Sequence, residues 1–256
     1  MNAALSRAGS SLYATLERVA VFIVLGLLWE KAVDIFAIKP YLLPPLSSVL
    51  RSLWHNRVML LDQALVTGGE IVLGYAAAVL GGVLIALAIF AWPIAYRTFY
   101  PVLVLFQGLP KIALAPLMVI WVGYGASSKV LMAFMFAFFP VVISTLGGLA
   151  GTPEHLVEHF RAIKASPWTM FRRLQLPAAL PSIMDGCKTA MPLAVIGAIV
   201  GEFVGSQRGL GYLILEANAQ ARTDLLFAAL VAISALAGVL YWIVELLANR
   251  VWWRAL

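Results

Sequence analysis

EHLVEHFRAIKASPWTMFRRLQLPAALP, residues 154–181, breaks into a chain that is apolar on either side of it. Thr152-Pro153-Glu154 has the order of a helix start: a hydroxyl cap, a proline at the first helical position and an acid in the first turn. Ser166-Pro167 repeats the device. The spacing predicts two short helices, Pro153–Ile163 and Pro167–Leu174, joined by a turn. Leu156, Phe160 and Ile163 share one face of the first, and Trp168, Phe171 and Leu174 share one face of the second. Pro177 and Pro181 are expected to stop the second helix and set the angle of the apolar run that follows. A loop this long with structure of its own is expected to be gripped by something, or else to rest on a bilayer surface.

Outward from this stretch the chain is grease. It has 256 residues, 62% hydrophobic and only 12% charged, with a mean hydropathy of +0.94. A soluble domain could not cover itself with so few charges. Six apolar stretches stand out: Val19–Ile38, Ala64–Trp92, Phe99–Val122, Val130–Leu149, Ile183–Val204 and Leu225–Leu247. Each can cross a hydrocarbon core of about 30 Å as a helix. The strict alternation of a β-barrel is missing. The expected fold is therefore an all-α polytopic membrane protein with six transmembrane helices and the polar loop between the fourth and fifth. Residues 1–18 form a leading segment, 19–247 the membrane domain with its loop at 152–181, and 248–256 a tail.

An even number of spans puts both termini on one side. With that side cytoplasmic, the inner segments hold Arg7, Arg18, Arg97, Arg161, Lys164, Arg172, Arg173, Arg250 and Arg254. The outer ones hold Lys39, Arg51, Arg57, Lys129, Arg208 and Arg222, so the basic bias has the expected sign. Trp252 and Trp253 beside Arg254 resemble an interfacial anchor. The bases are scattered between apolar runs, which fits topology and not a nucleic-acid surface. The first apolar run is too long for a secretory signal and has no small-residue cleavage site. Residues 39–56 contain Val49, Leu50 and Leu53 at helical spacing and are either a short surface helix or a plain loop.

The third stretch carries Pro101, Gly108, Pro110 and Pro116, with Gln107 and Lys111 between them. Broken helices at membrane depth face protein or a water-filled path, because lipid cannot satisfy the freed backbone. Gln107 and Lys111, four apart, are expected on one helical face lining that path if the helix survives there. Otherwise Pro110 ends a helix at the surface and Lys111 snorkels. Glu202 closes the fifth stretch and Glu70 lies early in the second. A carboxylate within a membrane span is paired or functional by default, so both are candidate path residues; the outer interface is the other place for them, favoured for Glu70. Gly209-Leu210-Gly211 is a re-entrant turn or a helix start.

Cys187, the lone cysteine, is expected to be a small buried apolar residue. His155, Glu158 and His159 spell H-x-x-E-H, a zinc-hydrolase signature in inverted order. The remaining histidine, His55, falls on the opposite side, so no metal site is expected. No G-x-x-x-x-G-K-[ST] occurs, so this chain does not cradle ATP in that way.

The 158–177 segment resembles the EAA loop of ATP-binding-cassette importer permeases. Glu158 stands at the glutamate of that pattern and Leu176-Pro177 at its Leu-Pro ending. LAPLMVIWVGYG, SSKVLMAFMFAFFP and GEFVGSQRGLGYLI are similar to stretches of the nitrate/sulfonate/taurine permease family. The resemblance implies a type I fold in which Glu158, His159, Phe160, Ile163, Lys164, Ala165, Ser166, Leu176 and Pro177 couple to a cytoplasmic ATPase. It also implies two ATPase subunits that bind the ATP, a second copy of this permease, an extracytoplasmic binding protein and a bacterial inner-membrane location, with no cofactor in this chain. The cargo would be a small organic or heteroaromatic compound, or nitrate, a sulfonate or taurine. His159 and Phe160 replace the two alanines of the pattern. Lys164 replaces its glycine, where a positive φ would cost about 1–2 kcal/mol. The competing reading is a secondary transporter driven by an ion gradient through Glu202 and Glu70; a membrane zinc hydrolase stands third.

Overall fold

The computed structural model describes residues 20–252, except Phe22. The 1–18 segment, Arg7, Arg18, Trp253 and Arg254 therefore lie outside the described residues. Those described are helical, with no strand among them. The helices are α1 (20–35), α2 (Leu46–His55), α3 (Arg57–Ala91), α4 (Pro93–Gln107), α5 (Ala115–Val122), α6 (Ala126–Ala150), α7 (Glu154–Ala162), α8 (Pro167–Met170), α9 (Leu176–Gly205), α10 (Leu210–Ala219) and α11 (Thr223–Trp252). A 3₁₀ turn, Lys111–Leu114, precedes α5, and a π turn, Phe171–Gln175, joins α8 to α9.

Among the described residues, four helical segments are long and apolar enough to cross a bilayer: Arg57–Ala91, Ala126–Ala150, Pro167–Gly205 and Thr223–Arg250. A fifth span arises if Ile94–Gln107 and Lys111–Val122, bent by 86°, act as one. Each exceeds its apolar run because helix continues into polar residues at the ends. The described part of α1, residues 20–35, rises about 24 Å and stops short of Ile38. It ends in a left-handed Ala37 with φ 47, closed by Ile38 N–H to Val33 O at 3.0 Å and Ala37 N–H to Asp34 O at 3.2 Å.

The chain divides into two compact units. The smaller comprises the chain up to Leu60 together with Ile214–Leu230. In it Trp29 Nε1 donates to Pro44 O at 3.1 Å, and Glu30 accepts from the Ser47 N–H at 3.0 Å and its hydroxyl at 2.7 Å. These bonds fix α2 beside α1. The 46–55 stretch is thus a helix, not a plain loop: it buries Val49 and Ser52 and exposes Leu50 and Trp54.

The larger unit, Leu61–Leu213 with the chain from Val231, is built on α6. A Cβ added to Gly186 of α9 would stand 2.6 Å from Ser144 Cβ, and one on Gly197 would stand 2.6 Å from Met132 O. Backbones approach this closely only where side chains are small, as membrane helices use glycine. The contacts pair 148 with 182, 144 with 186, 132 with 197 and 129 with 201, so α6 and α9 run antiparallel along one continuous seam. On α3, Gly74 meets Ala133 and Gly82 meets Val141, so α3 and α6 run parallel. The connection 93–122 between them therefore has to bring the chain back, which is the work of the bent α4–α5 pair.

Two sequence expectations need correction. Thr152 does not cap α7: its hydroxyl donates to Leu149 O at 3.0 Å, closing α6 instead, and Pro153, extended at ψ 125, occupies the cap. Pro177 and Pro181 do not stop the helix, which runs from Pro167 to Gly205. Pro177 would clash with the carbonyl of Arg173, four residues back. Arg173 lies in the π turn, whose wider ladder absorbs the missing donor.

Candidate functional site

Three clusters of polar residues sit on this scaffold. The first is the 152–181 segment. Ser166 caps α8 as the sequence predicts, its hydroxyl accepting from Thr169 N–H at 3.2 Å. The turn before it is a Schellman closure of α7: Ala165 N–H reaches Phe160 O at 3.0 Å and Lys164 N–H reaches Arg161 O at 2.9 Å. That closure demands a left-handed residue, and Lys164 supplies it with φ 53. The lysine therefore adopts the backbone that a glycine would take there without strain. Glu158, His159 and Lys164 are exposed, Phe160 is half-buried, and the apolar Leu156, Ile163 and Trp168 stand in the open, Ile163 at 62% and Trp168 at 66% exposure. Trp168 stacks on Phe171 at 5.7 Å, which stiffens the ridge. Ser166 is exposed, while Ala165, Leu176 and Pro177 are partly buried. His155 and His159 are both exposed, and no trio of His, Cys, Asp or Glu gathers as a metal site among the described residues.

The second cluster is the break in the third span. α4 ends at Gln107, and Pro110 prevents the ladder from continuing. Gln107 and Lys111 consequently do not share a helical face, because the helix does not survive between them. Gln107 is exposed. Lys111 turns toward α6, its Nζ 4.8 Å above the ring of Phe139 and 5.8 Å from that of Phe136. Phe106 lies parallel to Phe139, within 3°, with centroids 6.2 Å apart.

The third cluster is buried. Glu202, near the end of α9, is 1% exposed, and Glu70 of α3 is 6% exposed, so neither sits in water at an interface. Thr67 Oγ1 donates to Glu202 Oε1 at 2.6 Å and accepts from Leu210 N–H at 2.8 Å. Gly211 N–H donates to Glu202 Oε2, and Gly209 N–H donates to Gln63 Oε1. The carboxylate of Glu202 thus sits at the N-terminus of α10, where aligned N–H groups favour an anion. Gly209-Leu210-Gly211 is a helix start, and its glycines are required. Gly209 has φ 107 and a Cβ there would overlap the Glu202 carboxyl; a Cβ on Gly211 would stand 2.7 Å from Oε2. The Glu70 carboxyl faces that of Glu202, and Glu70 Oε2 is buried without a hydrogen-bond partner.

Lys129 belongs to this end of the unit too. The sequence reading counts it among the bases of the outer segments. In the structure it lies in the first turn of α6, 2% exposed, donating to Gly125 O at 2.8 Å and to Gly205 O. Gln63 and Thr67 also escaped the sequence reading. Their signal was present: Gln63, Thr67 and Glu70 repeat at i, i+4, i+7, a polar stripe along one face of an apolar helix. Cys187 is buried as expected.

The family model for binding-protein-dependent transport system inner membrane components matches residues 71–253. A probable ABC transporter permease protein of Haemophilus influenzae is 35% identical over 230 residues, 90% of this chain and 94% of its own length. The formylaminopyrimidine transport permease protein ThiX of Halalkalibacterium halodurans is 38% identical over 201 residues, 78% of this chain and 80% of its own. Among solved structures, a chain of the MetNI methionine ABC transporter in inward-facing conformations superposes with a TM-score of 0.58. It shares 21% identity, covering 80% of this chain and 97% of that one, which is a likeness of fold. These relatives give no support to an ion-gradient mechanism through Glu202 and Glu70.

Proposed function

The chain belongs to the family of binding-protein-dependent transport system inner membrane components, and on that premise we propose that it forms the membrane path of an ATP-driven importer while a separate subunit hydrolyses the ATP. The observation that carries the mechanism is the ridge of Leu156, Ile163 and Trp168, apolar side chains left in the open on short capped helices. Exposed apolar ridges rimmed by charge mark protein contacts. The 152–181 segment is the coupling loop, with Glu158, His159, Phe160, Ile163, Lys164, Ala165 and Ser166 at the contact and Leu176-Pro177 leading into the span. Two ATPase subunits grip two such loops, one from each copy of the permease, and a binding protein outside delivers the cargo.

In this reading α1 is the first of six spans, both termini are cytoplasmic, and transport is a rigid-body switch between outward- and inward-facing states. The permease does no covalent chemistry and needs no cofactor of its own. Gln107 and Lys111 at the broken span line the path, and Glu202 with Glu70 forms part of its wall. The cargo is a small organic or heteroaromatic compound, as the name of the ThiX relative suggests, or nitrate, a sulfonate or taurine. Deleting Phe160–Ile163 from the full complex tests the coupling assignment. Loss of the ATPase on purification, with the membrane domain still monodisperse, is the expected result. An intact complex after the deletion refutes it.

A further inference from the structure

Lys111 is a cation at the break of an apolar span, and among the described residues its Nζ has neither a carboxylate within ion-pair distance nor a hydrogen-bond acceptor. Its contacts are aromatic: Nζ stands 4.8 Å above Phe139 and 5.8 Å from Phe136. An ammonium is stabilised by ring faces, yet its three donors remain unused there. Phe106 lies parallel to the same Phe139 ring at 6.2 Å and is itself 49% exposed. Donor and open ring thus both border the Phe139 side chain. The break also exposes Gln107, Gly108, Leu109 and Pro110, so access does not require the helices to part.

We propose that Lys111, Phe106 and Phe139 form a recognition point for a planar ring carrying an anionic or strongly accepting group, the ring stacking on Phe106 and the acceptor taking the Lys111 ammonium. A compact sulfonate zwitterion such as taurine would engage the charge through its sulfonate and leave the rings idle. This inference rests on the importer reading and narrows its cargo to the π-rich class.

The test uses the permease–ATPase complex in nanodiscs without a binding protein, so that selectivity of the membrane path is read alone. Equilibrium binding of three labelled probes is measured: a formylaminopyrimidine, benzoate and taurine. The planar probes are expected to bind saturably and taurine not to. Lys111→Met and Phe106→Leu should each weaken planar-probe binding about tenfold, and Lys111→Arg should keep most of it. Phe106 is half exposed, so its truncation tests the site without threatening the fold; monodispersity and retained ATPase subunits check this. Planar probes that bind no better than taurine, or variants that bind as wild type does, overturn the proposal. Such a result in a complex that still holds its ATPase leaves the importer reading standing, whereas a chain that never co-purifies with an ATPase defeats that reading itself.

Discussion

Thr67→Val removes one oxygen from the cradle at the start of α10 and changes little else in shape. The hydroxyl donates to Glu202 Oε1 at 2.6 Å and accepts from Leu210 N–H at 2.8 Å. A hydrogen bond to a charged group contributes about 1.5–3 kcal/mol, and a buried N–H left unpaired costs about 1–3 kcal/mol. The added methyl returns less than about 1 kcal/mol. The expected net destabilisation is about 2–4 kcal/mol, large for a near-isosteric change. Glu202→Gln should lose a similar amount, because the amide still accepts from Gly211 N–H but no longer offers a charged acceptor to Thr67. Since both residues serve one network, the double variant should lose less than the sum, with a coupling of about 1–2 kcal/mol. The measurement is loss of helical circular dichroism on titration of the micelle-bound protein with denaturing detergent. Thr67→Val within about 0.5 kcal/mol of wild type, or strict additivity, refutes the reasoning that this cradle is cooperative.

Lys164→Gly should stabilise α7 by about 0.5–1 kcal/mol, the relief of a left-handed lysine (φ 53) set against glycine's extra freedom when unfolded, read as a shifted unfolding midpoint. Gly197→Ala should separate α9 from α6 at Met132 and destabilise by about 1–3 kcal/mol, whereas Gly147→Ala, with open space around its Cβ, should leave the midpoint unchanged in the same titration. Cys187 should resist a maleimide in the folded protein and react fully once unfolded, as mass spectrometry would record.

Helical membrane character was legible because long apolar runs with few charges leave little choice. The boundaries were less so: Pro177 and Pro181 are ordinary stop signals, and only the π turn over Phe171–Gln175 shows how the helix passes the first of them. Thr152 failed as a cap for a related reason, since the carbonyl of Leu149 competed for its hydroxyl. Ser166 kept the role that the sequence assigned, because the carbonyls at the end of α7 are already met by the Lys164 and Ala165 N–H groups. The strain at Lys164 was legible once a glycine pattern was compared with it, and φ 53 bears it out. Glu202 drew notice as an acid inside grease, but its partners did not. Thr67 lies 135 positions away in the chain, and a pairing of that kind depends on which helix faces which. The burial of Lys129 was not legible, because a base after Gly123, Gly125 and two serines has the composition of a loop; burial on α6 is a tertiary fact.

The helix from Pro167 to Gly205 is 39 residues without a loop, roughly 58 Å of continuous rise. One extremity carries the exposed Trp168 and the other carries Glu202 in its ring of donors. In the proposed coupling, a displacement imposed at the tryptophan therefore reaches the glutamate along a single rod, whose irregular points are the five-residue π turn and the internal prolines Pro181 and Pro192.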